Sequence, residues 1–113
     1  MFRFAICMLL TLALSACGSG TPVAFHNKSD RRLEDVELSG SGFKASLGVV
    51  AAGQSLTVPV YPAGESGLAV SFMADGQRFS YKPQDYFESG GSYKVAATVN
   101  RNLTVSVRSD IWP

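Results

Sequence analysis

The residues able to do chemistry are few and scattered. One histidine, His26, and two cysteines, Cys7 and Cys17, occur in 113 residues. His26 falls on the polar face of an alternating run, the ordinary place of a solvated side chain. Glu34, Asp35 and Glu37 are the densest carboxylates, and paired carboxylates are what a general acid and base require. Asp35 and Glu37 are two apart, so a strand turns both to one face, its wet one, where they serve solubility. The glycines are spread over turns and form no phosphate-cradling loop. No catalytic residue and no metal ligand is assigned, no cofactor is implied, and the chain is expected not to be an enzyme.

Cys17 stands apart because of what precedes it. It closes the stretch Leu14-Ser15-Ala16-Cys17, after a single basic residue, Arg3, and an apolar run over 4–14 that only Thr11 interrupts. At 1.5 Å per residue that run is too short to cross roughly 30 Å of hydrocarbon, so it suits a signal peptide rather than a membrane span. The stretch resembles the lipobox of bacterial lipoproteins. The resemblance implies cleavage after Ala16, a diacylglyceryl thioether on Cys17 and, usually, acylation of the new amine. An Asp just after the cysteine is the usual signal for inner-membrane retention, and Gly18 occupies that position. The implied place is therefore the outer membrane, with the domain facing the periplasm.

Removing residues 1–16 from 113 leaves 97, enough for one domain and not for two. Ten Lys and Arg stand against nine Asp and Glu, and losing Arg3 leaves nine of each, so the mature chain is formally neutral. Neutrality and a periplasmic address both weigh against nucleic acid as a partner. Cys7 goes with the signal, and Cys17 is then occupied by lipid. No intramolecular disulfide, zinc site or Cys–His pair can be assembled from what is left. The tether, residues 17–22, reaches at most about 17 Å, which keeps the domain close to the bilayer. Because one acyl chain holds only weakly, the three implied chains matter for stable attachment. Lys28, Arg31 and Arg32 form a small basic cluster taken to lie near the tether. Asp30, Glu34 and Asp35 beside it make a polar turn the simpler reading.

Past Pro22 the apolar residues recur every second position. Val23 and Phe25, Val36 and Leu38, Phe43 to Leu47, Leu56 to Val60, Leu68 to Phe72, Tyr93 to Val99 and Leu103 to Val107 each alternate with polar or small residues. This is the mark of strands with one buried and one wet face. Asp75-Gly76, Ser39-Gly40-Ser41-Gly42, Asn100-Arg101-Asn102, Ala52-Gly53 and Pro62-Ala63-Gly64 supply the turns. Pro59 lacks a ladder donor, which predicts an edge strand. The fold expected is all-β, a single antiparallel β-sandwich of seven or eight strands over residues 23–109, with 110–113 as a C-terminal tail. Asn27 through Leu38, and Leu47 through Val58 with its Leu-Gly and Gly-x-Ser turns, resemble immunoglobulin-like modules of bacterial surface proteins. That likeness implies a fold and not a function.

Binding chemistry is sought in the rings. Tyr81-Lys82-Pro83-Gln84-Asp85-Tyr86-Phe87 reads as a loop between two strands, and Trp112 stands in the tail. Rings on a loop of a rigid sandwich are a common way to build a partner surface. Tyr86 and Phe87, extended by Ser89, are the candidate partner-binding residues, with the alternative that the two rings cap the core. The N-terminal end is set aside as crowded by the membrane. Ser89-Gly90-Gly91-Ser92-Tyr93 also resembles the Ser-Gly-x-x-Tyr loop of membrane-bound lysozyme inhibitors, in which Ser89 would match the residue that enters the lysozyme cleft. The family's cysteine pair is missing here, which separates the chain from it. The reading is a non-catalytic lipoprotein acting as a tethered binding or envelope-assembly module, held to the membrane by lipid and meeting an envelope protein. A periplasmic lysozyme inhibitor is the alternative.

Overall fold

The computed structural model describes residues 20–111. The Leu14-Ser15-Ala16-Cys17 stretch and Trp112 lie outside the described residues. Alternation becomes strand throughout: β1 Thr21–Asn27, β2 Leu33–Gly40, β3 Phe43–Val50, β4 Ser55–Val60, β5 Glu65–Ala74, β6 Gln77–Glu88, β7 Tyr93–Val99 and β8 Val105–Ile111. They form two four-stranded sheets, in the orders β4-β1-β7-β8 and β3-β2-β5-β6. The two sheets pack their apolar faces together, as a sandwich must to bury both. Phe25, Phe72, Phe87, Leu33, Leu38 and Leu68 are the largest fully buried side chains. Each such side chain contributes about 1.5–3 kcal/mol by leaving water.

The turns behave as their residues dictate. Asp75 and Gly76 join β5 to β6 with φ of 52° and 74°, the two positive angles that a primed two-residue hairpin turn needs. Pro59 sits on edge strand β4, opposite Pro22 of β1. Asp35 adopts φ 47° at a bulge in β2, which is why Leu33 and Val36, three apart, both point into the core.

Five expectations need correcting. The sandwich is not wholly antiparallel: β1 runs parallel to β7, with Val23 beside Val95 and Phe25 beside Ala97. Period-two alternation carries no direction. A parallel pair needs a long crossover, and here five strands supply it. The immunoglobulin likeness stops at two packed sheets. In that fold the first strand shares a sheet with the second, fifth and fourth, whereas here it lies between the fourth and seventh.

The stretch 81–87 is strand, not loop. Register shifts in β6, at Pro83 and at Asp85 with its φ of 63°, absorb extra residues that read as a loop in the sequence. Strand boundaries move outward too. Thr21 and Pro22 pair with Val60 and Pro59, and Asp110 and Ile111 pair with Lys94 and Tyr93, so neither pair is tether or tail. Leu103, by contrast, is a turn residue at φ 68° and is still buried.

The open side between edge strands β6 and β8 is closed by side chains. The Tyr81 hydroxyl donates to the Leu103 carbonyl at 2.5 Å, Gln84 Nε2 donates to the Val105 carbonyl at 3.3 Å, and the Ser109 amide donates to the Asp85 carboxylate at 2.8 Å. Such cover occupies edge groups that would otherwise template another strand.

Candidate functional site

The parallel pairing of β1 and β7 decides what lies at each end of the sandwich. Thr21, the first residue of β1, is opposite Val60, the last of β4, and Tyr93, the first of β7, is opposite Ile111, the last of β8. The connections over 61–64 and 89–92 both cross from one sheet to the other at this same end. They hold each other: the Ser89 amide donates to the Gly64 carbonyl at 3.1 Å, and the Gly64 amide donates to the Ser89 hydroxyl at 3.2 Å. Between them opens a groove of about 740 Å³, with Pro22, Tyr61, Pro62, Gly91, Tyr93 and Lys94 among its walls.

Tyr86 stands beside the groove. Its ring meets that of Tyr93 edge-on, with centroids 6.2 Å apart and planes at 76°. Its hydroxyl donates to the Glu88 carboxylate at 2.8 Å. That hydrogen bond, followed by desolvation and by the negative charges of Glu65 and Glu88, pushes the phenol from its ordinary 10.0 up to about 12. At neutral pH it is a fixed donor rather than a base.

The candidate residues separate. Tyr86 and Ser89 are exposed and share this end. Phe87 does not join them: it is fully buried, its ring 6.2 Å from that of Phe43. Alternation along the end of β6 turns Phe87 inward while Tyr86 faces out, so Phe87 is core and offers no ring to a partner. Ser89 has a structural duty, the Gly64 amide, that accounts for a hydroxyl at its position. The sequence reading missed Tyr61, Tyr93 and Ile111. Tyr61 and Tyr93 lie in or beside short connections and Ile111 ends β8; the β7–β8 pairing sets Tyr93 opposite Ile111, and the parallel β1–β7 register brings Tyr61 to the same end.

The tether-side placement assumed for Lys28, Arg31 and Arg32 is reversed. They follow β1 and lie at the opposite end, about 20 Å from Thr21 at the rise of a strand. Arg31 pairs with Asp75 of the β5–β6 turn and with Asp30 at 3.4 Å, and Arg32 pairs with Glu34 at 3.3 Å. Beneath them Asn27 is buried. Its Nδ2 donates to the carbonyls of Arg31, Val50 and Ala51 at 2.8, 3.2 and 3.1 Å, and its Oδ1 accepts from the Ser29 amide and hydroxyl.

Other groups able to do chemistry remain apart. His26 Nδ1 hydrogen-bonds Ser55 Oγ at 2.5 Å across the β1–β4 pair. Among the described residues no three of His, Cys, Asp and Glu are grouped to hold a metal ion.

No family model and no curated protein matches the chain. Among solved structures it is similar in fold to a protein from Eubacterium rectale determined by NMR. The TM-score is 0.57 at 11% identity, over 83% of this chain and 91% of that one. At that identity the likeness concerns the fold alone.

Proposed function

We propose that the chain is a non-catalytic envelope lipoprotein, acylated at Cys17 after cleavage at Ala16, that holds its sandwich at the periplasmic face of the outer membrane as a tethered binding or assembly module. The observation that carries the reading is the polarity of the domain. Thr21 is already in strand, four residues after Cys17. Four residues span at most about 14 Å. An acylated Cys17 therefore turns the Thr21 end to the bilayer and the Asn27 end, with its charged turns, away from it. The envelope partner is then met at the turns over 28–32, 75–76 and 100–104, which are braced by the Asn27 amide on the Arg31 carbonyl, the Arg31–Asp75 ion pair and the Asn100 amide on the Thr104 hydroxyl. This replaces Tyr86 and Phe87 as the expected contact.

Two measurements on the full chain in a bacterial envelope test the reading. Mass spectrometry of the mature N-terminus should find an acylated Cys17, and Cys17→Ala should leave the protein uncut or unacylated. A photocrosslinker in place of Arg101 should capture an envelope protein that one in place of Tyr61 does not. A terminus other than Cys17 overturns the anchor. Equal capture from both positions overturns the partner surface.

A further inference from the structure

Large hydrophobic side chains are exposed at the tether end. Among the described residues four large hydrophobic side chains are exposed: Val49, Tyr61, Tyr86 and Ile111. All but Val49 lie at the Thr21 end, with Tyr61 at 60% and Ile111 at 76% exposure. They surround the point where the chain leaves for Cys17. The Tyr61 ring rests against Gly20, so close that a Cβ there would come within 2.9 Å of Tyr61 Cε1. Tyr93 lies beside Ile111 across the β7–β8 pair and against Tyr86 through its ring.

We propose that Tyr61, Tyr86 and Ile111 seat the domain on the interfacial layer of a lipid bilayer, so that the sandwich stands on the membrane rather than swinging from its tether. The inference rests on acylation of Cys17. Three observations favour lipid as the occupant. The chain between Cys17 and Thr21 reaches at most about 14 Å, and crossing one leaflet's headgroup layer takes about 5–8 Å of that, so the Thr21 end is held within about 10 Å of the bilayer surface. The exposed rings are tyrosines, which have an apolar body and a polar tip and collect at the membrane–water boundary. Finally, three of the four large exposed hydrophobic side chains gather at this end, among the charges of Glu65, Glu88, Lys94 and Asp110, whereas the opposite end carries Lys28, Asp30, Arg31, Arg32 and Asp75 with Val49 alone.

Site-directed spin labelling tests this. Cys7 is lost with the signal and Cys17 is acylated, so a cysteine introduced at position 61, 111 or 101 is the only free thiol in the mature chain. The lipidated Tyr61→Cys, Ile111→Cys and Arg101→Cys proteins are placed in phosphatidylcholine vesicles. Accessibility is then read with oxygen, which concentrates in lipid, and with a water-soluble nickel chelate. Labels at 61 and 111 should favour oxygen over nickel several-fold more than the label at 101. If all three report water while mass spectrometry finds Cys17 acylated, the anchor stands and the seating is wrong. If labels at 61 and 111 are shielded from both reagents, a protein or a second copy of the chain covers the patch, and the lipid assignment falls. An unacylated Cys17 removes the anchor itself.

Discussion

Asp85 and Ser109 tie the two sheets together at their open side: the Ser109 amide of edge strand β8 donates to the Asp85 carboxylate of edge strand β6 at 2.8 Å. Asp85 can reach because it stands at a bulge with φ 63°, a conformation that Asp and Asn tolerate better than most residues. Its other oxygen accepts the Tyr86 amide at 2.9 Å, which holds the bulge from within. Asp85→Ala should therefore lose two charge-assisted hydrogen bonds and strain the backbone, at a cost of about 1–3 kcal/mol. Asp85→Asn keeps an acceptor and the tolerated φ and should cost less. Chemical denaturation of the three proteins orders them, and an alanine variant as stable as the parent would remove Asp85 from this role.

Asn27 makes a separable prediction for the far end. Its buried amide joins the turn over 28–32 to the end of β3 through three carbonyls. Asn27→Ala leaves buried carbonyls without donors and should cost about 3 kcal/mol. Asn27→Asp removes the donors and adds a charge beside the same carbonyls, so it should be worse than alanine. Hydrogen exchange at the amides of Lys28 and Gly53, which bond to the Val99 and Asn27 carbonyls, should accelerate more than exchange at Val70 in mid-sheet. Uniform acceleration would mean that the turn and the core open together.

Tyr86 and Phe87 are neighbours in sequence with opposite fates, and single variants should part them. Phe87→Ala deletes a fully buried ring and should cost about 3–5 kcal/mol. Tyr86→Ser removes a half-exposed ring from the surface and should cost about 1 kcal/mol or less. Thermal melts of the two variants measure the difference. Similar losses would mean that the Tyr86–Tyr93 contact carries more of the fold than its exposure indicates.

These residues also show how far the sequence can be read. Period two found the core: Val23, Phe25, Leu38, Leu68, Val70, Phe72, Val95, Ala97 and Val99 are all buried as their alternation requires. Turn chemistry found the Asp75-Gly76 hairpin because positive φ is written in residue type. What stayed hidden depends on long-range pairing. Nothing local distinguishes a β1 that runs alongside β7 from one that opposes it, and that choice brings Tyr61 to the end where Tyr93 lies opposite Ile111. The bulges of β6 were hidden for a related reason. Pro83 and Asp85 have loop composition, yet Tyr81, Gln84 and Phe87 pair with Val70, Leu68 and Ser66 of β5 and hold the segment in the sheet. A residue assigned to a loop has no inward face to take, so Phe87 reads as a candidate partner residue, and its burial bears out the alternative that it belongs to the core.

The Tyr86 phenol gives the last prediction, in alkaline solution. Its pKa is raised from 10.0 to about 12, chiefly by the hydrogen bond to Glu88. Below pH 10 folded and unfolded chains both hold the phenolic proton. Between about 10 and about 12 the folded chain keeps a proton that the unfolded chain has lost. The stabilising contribution is thus complete below the unfolded value and disappears as pH rises through the folded one. Ultraviolet difference titration against Tyr86→Phe should isolate one late-ionising phenol. Glu88→Gln exchanges the charged acceptor for a neutral one and removes a nearby negative charge, so it should bring that phenol back toward 10. Unfolding curves collected across this range should fall less steeply with pH in Tyr86→Phe than in the parent. A Tyr86 that titrates at its ordinary value, or one that Glu88→Gln does not move, would show that the bond to Glu88 is not kept in solution.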